Sequence, residues 1–222
     1  MNPAEKIDYL NPDVPMELPW VDVPLVKATN ESLKGYGKLV SDYEDYPIEI
    51  VRWPAQGWRP VDSGTGDEAG TVSGIFRCWW EGDVLYGENE AVEDEYILGW
   101  SKNLKDIDKL NSFDIDHSNV ILWHANYHPD GGQLFYPLDD IPFVIPLALP
   151  GDDVKPSSFK AFYVERGGVY IHPNVWHEGV FPTTVAAEFY GEQGLVHARV
   201  SCNIAKEFGV FLNVPLVKPI QK

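Results

Sequence analysis

The chain is poor in cysteine, in arginine and in long apolar runs, and each shortage closes off a class of protein. Cys78 and Cys202 are its only cysteines. Two are too few for the disulfide framework of a secreted scaffold, and neither sits in a CxxC or zinc-ligand spacing, so both are expected to be buried thiols. No stretch approaches the ~18 consecutive apolar residues of a membrane helix, and the opening MNPAEKIDYL lacks the apolar run of a signal peptide. A cytoplasmic protein with no membrane partner is the expectation. Basic residues number 17 against 34 acidic ones, a formal net charge of −17. Such a chain repels a phosphate backbone, because non-specific affinity for nucleic acid depends on Lys and Arg displacing counterions. Nucleic acid is therefore not an expected partner. Small anions are repelled too, so a small anionic substrate would need its own local cation. Arginine occurs only at Arg52, Arg59, Arg77, Arg166 and Arg199, which draws interest to those positions.

What the chain does have is enough apolar material to fold, 44% of 222 residues, with an ordinary 23% charged. Its length suits one large β domain over residues 1–222. Residues 1–22 are Pro-rich and read as an extended arm, since Pro15 and Pro19 preclude a regular helix. Thr29 or Asn30 can cap a short helix at Glu31–Tyr36, ended by Gly35 and Gly37. Lys102–Ser112 shows a helical apolar period at Leu104, Ile107 and Leu110. The rest consists of short β-branched and aromatic runs between Gly, Pro and Asp. Candidate strands are 48–53, 71–80, 84–86, 96–100, 120–128, 133–136, 143–148, 159–164, 169–172, 196–203 and 210–214. Eleven strands with turn signals between them predict a sandwich or barrel. Asp62–Gly70 (DSGTGDEAG) reads as a surface loop or lid, and the acidic Glu88–Glu95 as a solvated loop.

Four of the six histidines fall in two clusters: His124 and His128 in WHANYHPDGGQ, and His172 and His177 in YIHPNVWHEG. Neutral imidazole is the commonest metal ligand and the usual general base near neutral pH. If 120–128 is a strand, Asn126 and His128 face one way, whereas His124 lies ~13 Å from His128 along an extended chain and needs a bend to join it. Pro129–Gly132 then turns the chain and places Gln133 beside His128. A His, a tight turn, an acceptor five residues on and a second His about 45 residues later is the layout of a cupin metal site, with Asn126, His128, Gln133 and His177 in the frame. Two of those four are neutral amides, weak ligands for a transition metal. The plainer role for any one His is a core residue bonded to backbone carbonyls beside Trp123, Tyr127 or Trp176. Both clusters flank turns, and that favours a ligand site at the mouth of a barrel. No GxSxG or phosphate loop is present, and Ser201 and Cys202 have no base nearby in sequence.

The segments HPDGGQLFYPL, PLALPGDD, SFKAF and YIHPNVWHEGV, in that order and spacing, resemble the ureidoglycolate lyase (ureidoglycolate hydrolase) family of cupin-fold proteins. Val23–Val40 is similar to that family's opening. The resemblance spans the start and roughly residues 119–182, with 53–100 expanded and Glu178 standing where family members often carry another His. It implies an all-β, cupin-type jelly-roll barrel with one or two short helices. It also implies cleavage of ureidoglycolate to glyoxylate and urea in purine-nitrogen catabolism, or of a similar small ureido or hydroxy acid. In that reading His177 or His128 is the base and His172 the acid, while Lys160 or Arg199 holds the carboxylate. Gln133 and Asn126 contact the ureido oxygen, and His124 and Trp176 complete the substrate site. One divalent metal ion could sit on His128, Gln133 and His177. A homodimer follows from the same resemblance, with the arm pairing to a neighbour's sheet edge. The competing classes are a metal-dependent cupin isomerase or dioxygenase on a sugar or hydroxy acid, and a non-catalytic small-molecule-binding cupin.

Overall fold

A computed structural model describes residues 7–51, 57–65, 70–107, 115–195 and 198–219. The expected all-β class holds: the described residues form seventeen strands, one α-helix and two single-turn 3-10 segments. In chain order the strands begin with β1 (Trp20–Asp22), β2 (Leu25–Lys27), β3 (Gly37–Val40), β4 (Thr71–Glu81), β5 (Val84–Asn89) and β6 (Asp94–Trp100). The middle of the chain supplies β7 (Asn119–Leu122), β8 (His124–Tyr127), β9 (Gln133–Pro137), β10 (Phe143–Ala148), β11 (Lys160–Val164) and β12 (Gly168–Ile171). Then come β13 (Trp176–His177), β14 (Phe181–Pro182), β15 (Ala186–Gly194), β16 (Val200–Asn203), the helix α1 (Ile204–Phe208) and β17 (Phe211–Pro215).

Pairing sorts the strands into two sheets. One has ten strands in the order β1-β17-β7-β6-β5-β4-β15-β9-β12-β3; the other runs β16-β8-β13-β10-β11-β2, with β14 also on β10. Neither closes on itself, so the expected barrel is replaced by two open sheets, whose edges are β1 and β3 in one and β16 and β2 in the other. Apolar side chains from both sheets share a core. Phe143 of the smaller sheet meets Phe189 of the larger edge-on at 5.2 Å, and both are fully buried, each contributing ~1.5–3 kcal/mol by leaving water. Alternation of buried and less buried residues along β5 is the period-two signature of a strand with one face on that core.

The run 120–128, read as one strand, is two. It leaves the larger sheet at Leu122, turns at the buried Trp123, whose Nε1 donates to the Ile97 carbonyl at 3.0 Å, and enters the smaller sheet at His124. This corner carries the chain from one layer to the other and brings the His-rich stretch to the space between them.

Other expectations are corrected. Glu31–Tyr36 forms turns, not a helix, although Thr29 does cap it by accepting from the Ser32 N–H at 3.0 Å. Gly35 at φ 86° stops helical winding at once. Lys102–Ser112 begins as a 3-10 turn at Leu104–Asp106, and its residues 108–112 lie outside the described set. The α-helix is instead Ile204–Phe208, capped by Asn203 and ended by Gly209 in the left-handed region. In 48–53 only an isolated bridge, Ile50 to Gly131, forms, and residues 52–53 are not described. The candidate strand 196–203 reduces to β16, with 196–197 not described. The arm, described from residue 7, pairs within its own chain through β1, which runs parallel to β17; β2, just after the arm, runs parallel to β11. Both cysteines are buried and unbridged, as expected. Among the described residues no helix is long and apolar enough to cross a membrane.

Candidate functional site

The two histidines singled out from spacing do meet. Asn126 on β8 and His177 on β13 are direct partners across the smaller sheet, and His128 follows β8 immediately. The rings of His128 and His177 lie 5.1 Å apart, centroid to centroid. From the opposite layer Gln133, first residue of β9, places its Oε1 2.9 Å from His177 Nε2. The cavity these groups share holds about 40 Å³ and is also lined by Glu178, Arg199, Asn89 and Tyr96. That is room for a few waters at ~10–15 Å³ each. Asn89 also lines a larger outer cleft of about 770 Å³, formed by the 7–10 segment and the turn between β5 and β6.

Hydrogen bonds decide what each imidazole can do. His128 Nδ1 lies 2.9 Å from the Ala198 carbonyl, which can only accept, so Nδ1 carries the proton and the neutral ring keeps its lone pair on Nε2. His177 has both nitrogens committed: Nδ1 faces the Val175 carbonyl at 2.8 Å and Nε2 faces Gln133. The Gln133 amide is oriented from behind. Its Nε2 donates to Gln193 Oε1 at 2.8 Å, which also accepts from Asn89 Nδ2 at 3.3 Å, and Asn89 Oδ1 accepts from the Ala91 backbone N–H at 3.1 Å. A backbone N–H cannot turn round, so this chain of amides points an oxygen at His177. An imidazolium would satisfy both oxygens, but burial pushes the His177 pKa down, against the Val175 carbonyl and Glu178, which favour the charge. In the neutral ring one of the two contacts is unmade, and Gln133 is the partner a ligand can displace.

Charge enters through two buried pairs. Glu178 Oε2 lies 2.7 Å from His124 Nδ1. Arg199 donates from Nε to Asp62 Oδ2 at 3.1 Å, and its guanidinium carbon lies 4.5 Å from the Tyr9 ring centre. Burial works against the Arg199 charge, yet its neighbours, Asp62 and Asp94 among them, outweigh that and hold its pKa above the usual value. Asn126 contributes an acceptor: its Oδ1 is buried with no hydrogen-bond partner among the described residues. A buried, unpaired carbonyl costs free energy until a donor reaches it.

Not every residue expected at the site is there. His172 stands outside the cavity, partly buried against Tyr170, with its pKa lowered by burial and by Lys38. Lys160 is exposed at the start of β11; Leu147 separates it from His177 across the sheet. Trp176 alternates with His177 and points the other way, its Nε1 donating to the Gly151 carbonyl at 2.8 Å and its ring meeting Tyr127. His124 joins the site through Glu178. Glu178, Asn89, Tyr96 and Asp62 were not singled out from the sequence. Glu178 alone carried a signal, as the neighbour of His177 that departs from the family pattern. As for a metal, the donor set fits poorly: Gln133 is a neutral amide, and no group of three His, Cys, Asp or Glu converges among the described residues.

Fold and site define a β-rich protein with a polar, partly charged cavity between two sheets. The sequence resemblance is confirmed and localised by comparison: residues 110–203 match the ureidoglycolate lyase family. Proteins named ureidoglycolate lyase from Salmonella enteritidis and Salmonella newport are each 34% identical to it over 71 residues, 32% of this chain and 44% of theirs. The chain thus spans less than half the length of these relatives.

Proposed function

We propose that the cavity, together with the outer cleft that adjoins it at Asn89, binds ureidoglycolate, or a similar small ureido hydroxy acid, and cleaves its C–N bond to release urea and glyoxylate. The observation that carries this reading is the unpartnered Asn126 Oδ1, set in one cavity with a lone-pair imidazole nitrogen and a single guanidinium. A ureido group supplies N–H donors for Asn126, and a carboxylate suits Arg199. The names of the relatives support the same class of reaction.

His128 Nε2 takes the proton of the carbinol O–H. The electrons of that bond form the C=O of glyoxylate as the C–N bond breaks, and the imidazolium returns the proton to the departing urea nitrogen. Both atoms sit on one carbon, so a single imidazole serves as base and then acid. Glu178, on the cavity wall, favours the transient imidazolium electrostatically. His177 positions Gln133, which turns to the ureido group when the substrate displaces it. A metal has no step in this scheme.

The test is a steady-state assay of urea and glyoxylate release by the full chain, with added divalent metal and with chelator. Turnover that survives chelation supports the proposal. Absence of turnover in both conditions removes the substrate, and turnover only with metal removes the mechanism.

A further inference from the structure

We infer that Asp62 and Tyr9, both outside the stretch matched to ureidoglycolate lyases, are positioning residues that turn Arg199 into a receptor for a small carboxylate. The inference rests on the proposed use of Arg199 as the anion site and adds what makes that use possible. Residues 62–65 clasp Arg199 from the backbone as well as the side chain. The Asp62 N–H donates to the Arg199 carbonyl at 2.7 Å, and the Arg199 N–H donates to Thr65 Oγ1 at 3.2 Å. Asp62 Oδ2 accepts from Arg199 Nε at 3.1 Å and from Ser201 Oγ at 2.5 Å. Gly64 at φ 79° provides the left-handed step that lets this short turn close.

Tyr9 takes one flat face of the guanidinium. It is itself fixed, since the Ile97 N–H donates to its carbonyl at 2.8 Å and its ring meets Tyr96 edge-on at 5.4 Å. Nε and one face are therefore occupied. Among the described residues neither Nη1 nor Nη2 donates a hydrogen bond, and the nearest acid to Nη1 is Asp94 at 3.8 Å. What remains is the edge bearing both Nη atoms, a planar fork that matches a carboxylate through two parallel N–H···O bonds. Asp62 acts in two opposed ways: it holds the fork in place and offsets the cost of burying it when empty, while its charge competes with an incoming anion. Arg199 is 9% exposed, and a buried charge left without its partner costs more than that competition, so positioning wins.

Glycolate and glyoxylate are the probes, titrated calorimetrically into the full-length protein and into Asp62→Asn, Tyr9→Leu and Tyr9→Phe. Asp62→Asn weakens glycolate about tenfold and raises KM for ureidoglycolate by a similar factor with kcat within about twofold, because it loosens binding common to ground and transition states. Tyr9→Leu weakens it about fivefold, and Tyr9→Phe, which keeps the ring, restores it. An affinity unchanged or tightened in Asp62→Asn overturns the inference, as does a wild-type protein that binds neither acid. If Asp62→Asn does not fold, the Tyr9 pair carries the same test. Glycolate binding that depends on Tyr9 and Asp62, without any urea release, would leave this inference standing while removing the proposed reaction.

Discussion

The two halves of the cavity wall come from different parts of the chain and differ in kind. Asn126, His128, Gln133, His177, Glu178 and Arg199 lie within residues 110–203, matched to ureidoglycolate lyases, and they bring nearly all of its charge and proton-transfer capacity. Phe76, Asn89, Tyr96 and Leu98 come from before that stretch and are mostly apolar. Behind them stand Tyr9 and Asp62, which touch Arg199 and not the cavity itself. Chemistry is thus concentrated where the resemblance is, while size, access and the aim of the arginine are set where there is none. A relative that covers 32% of the chain informs the first and is silent on the second.

Breaking the matched half should have the largest effect. His128→Gln removes the proton carrier, and a fall of about 10²–10⁴ in kcat is expected with the melting temperature little changed; a variant of undiminished kcat would move the base elsewhere. Arg199→Lys replaces the fork by a point charge and should raise KM about 10–100-fold. Saturation kinetics checks this, and an unchanged KM would place the carboxylate away from Arg199.

How far this was legible in the sequence follows the same division. The tight turn Pro129–Gly132 fixes where Gln133 can lie relative to His128, so that pair could be read from spacing, and scarcity pointed to Arg199. How far apart residues of different strands lie depends on pairing with partners far along the chain: Lys160 shares a cross-strand row with His177 but stands on the far side of β10, and His172 lies past the end of β12, so neither reaches the cavity. The break at Trp123 was hidden because the apolar and aromatic run 120–123 leads into His124 with no Gly or Pro to mark a corner, and only the pairing shows that two sheets share it. β15 went unseen because its Gly191-Glu192-Gln193-Gly194 ending has low strand propensity; it is held by β4 and β9 on either side. Asn89 and Asp62 carry no local signal, since only tertiary contact brings them to the site.

Two smaller effects sharpen the contrast. Asp130, in the turn between His128 and Gln133, has a buried carboxylate with neither oxygen hydrogen-bonded among the described residues, and burial raises its pKa, with the nearby Asp130 and Ala198 N–H groups opposing. A carboxyl raised above its unfolded value of ~3.9 leaves the native state holding more protons, so stability is greatest below that pH and is lost as pH rises through the folded value. Asp130→Asn should therefore gain on the wild type as pH rises through the folded value. Melting curves from pH 4 to 8 check this, and a pH-independent difference would contradict it. The outer cleft is lined by Asp8, Glu88, Glu90, Glu93, Asp94 and Glu95, a field hostile to an approaching anion. Added salt should screen it and raise kcat/KM for ureidoglycolate about two- to threefold as ionic strength goes from low to physiological. A fall would mean that the substrate is cationic or arrives by another route.

The most direct test is a crystal structure of the protein with oxalurate, an unreactive analogue of ureidoglycolate in which an amide carbonyl replaces the carbinol carbon. The expected map shows its carboxylate on the two Nη atoms of Arg199 and a ureido N–H on Asn126 Oδ1, with the central carbon on the His128 side of the cavity. An analogue seated outside this cavity, or one whose carboxylate turns away from Arg199, would contradict the account.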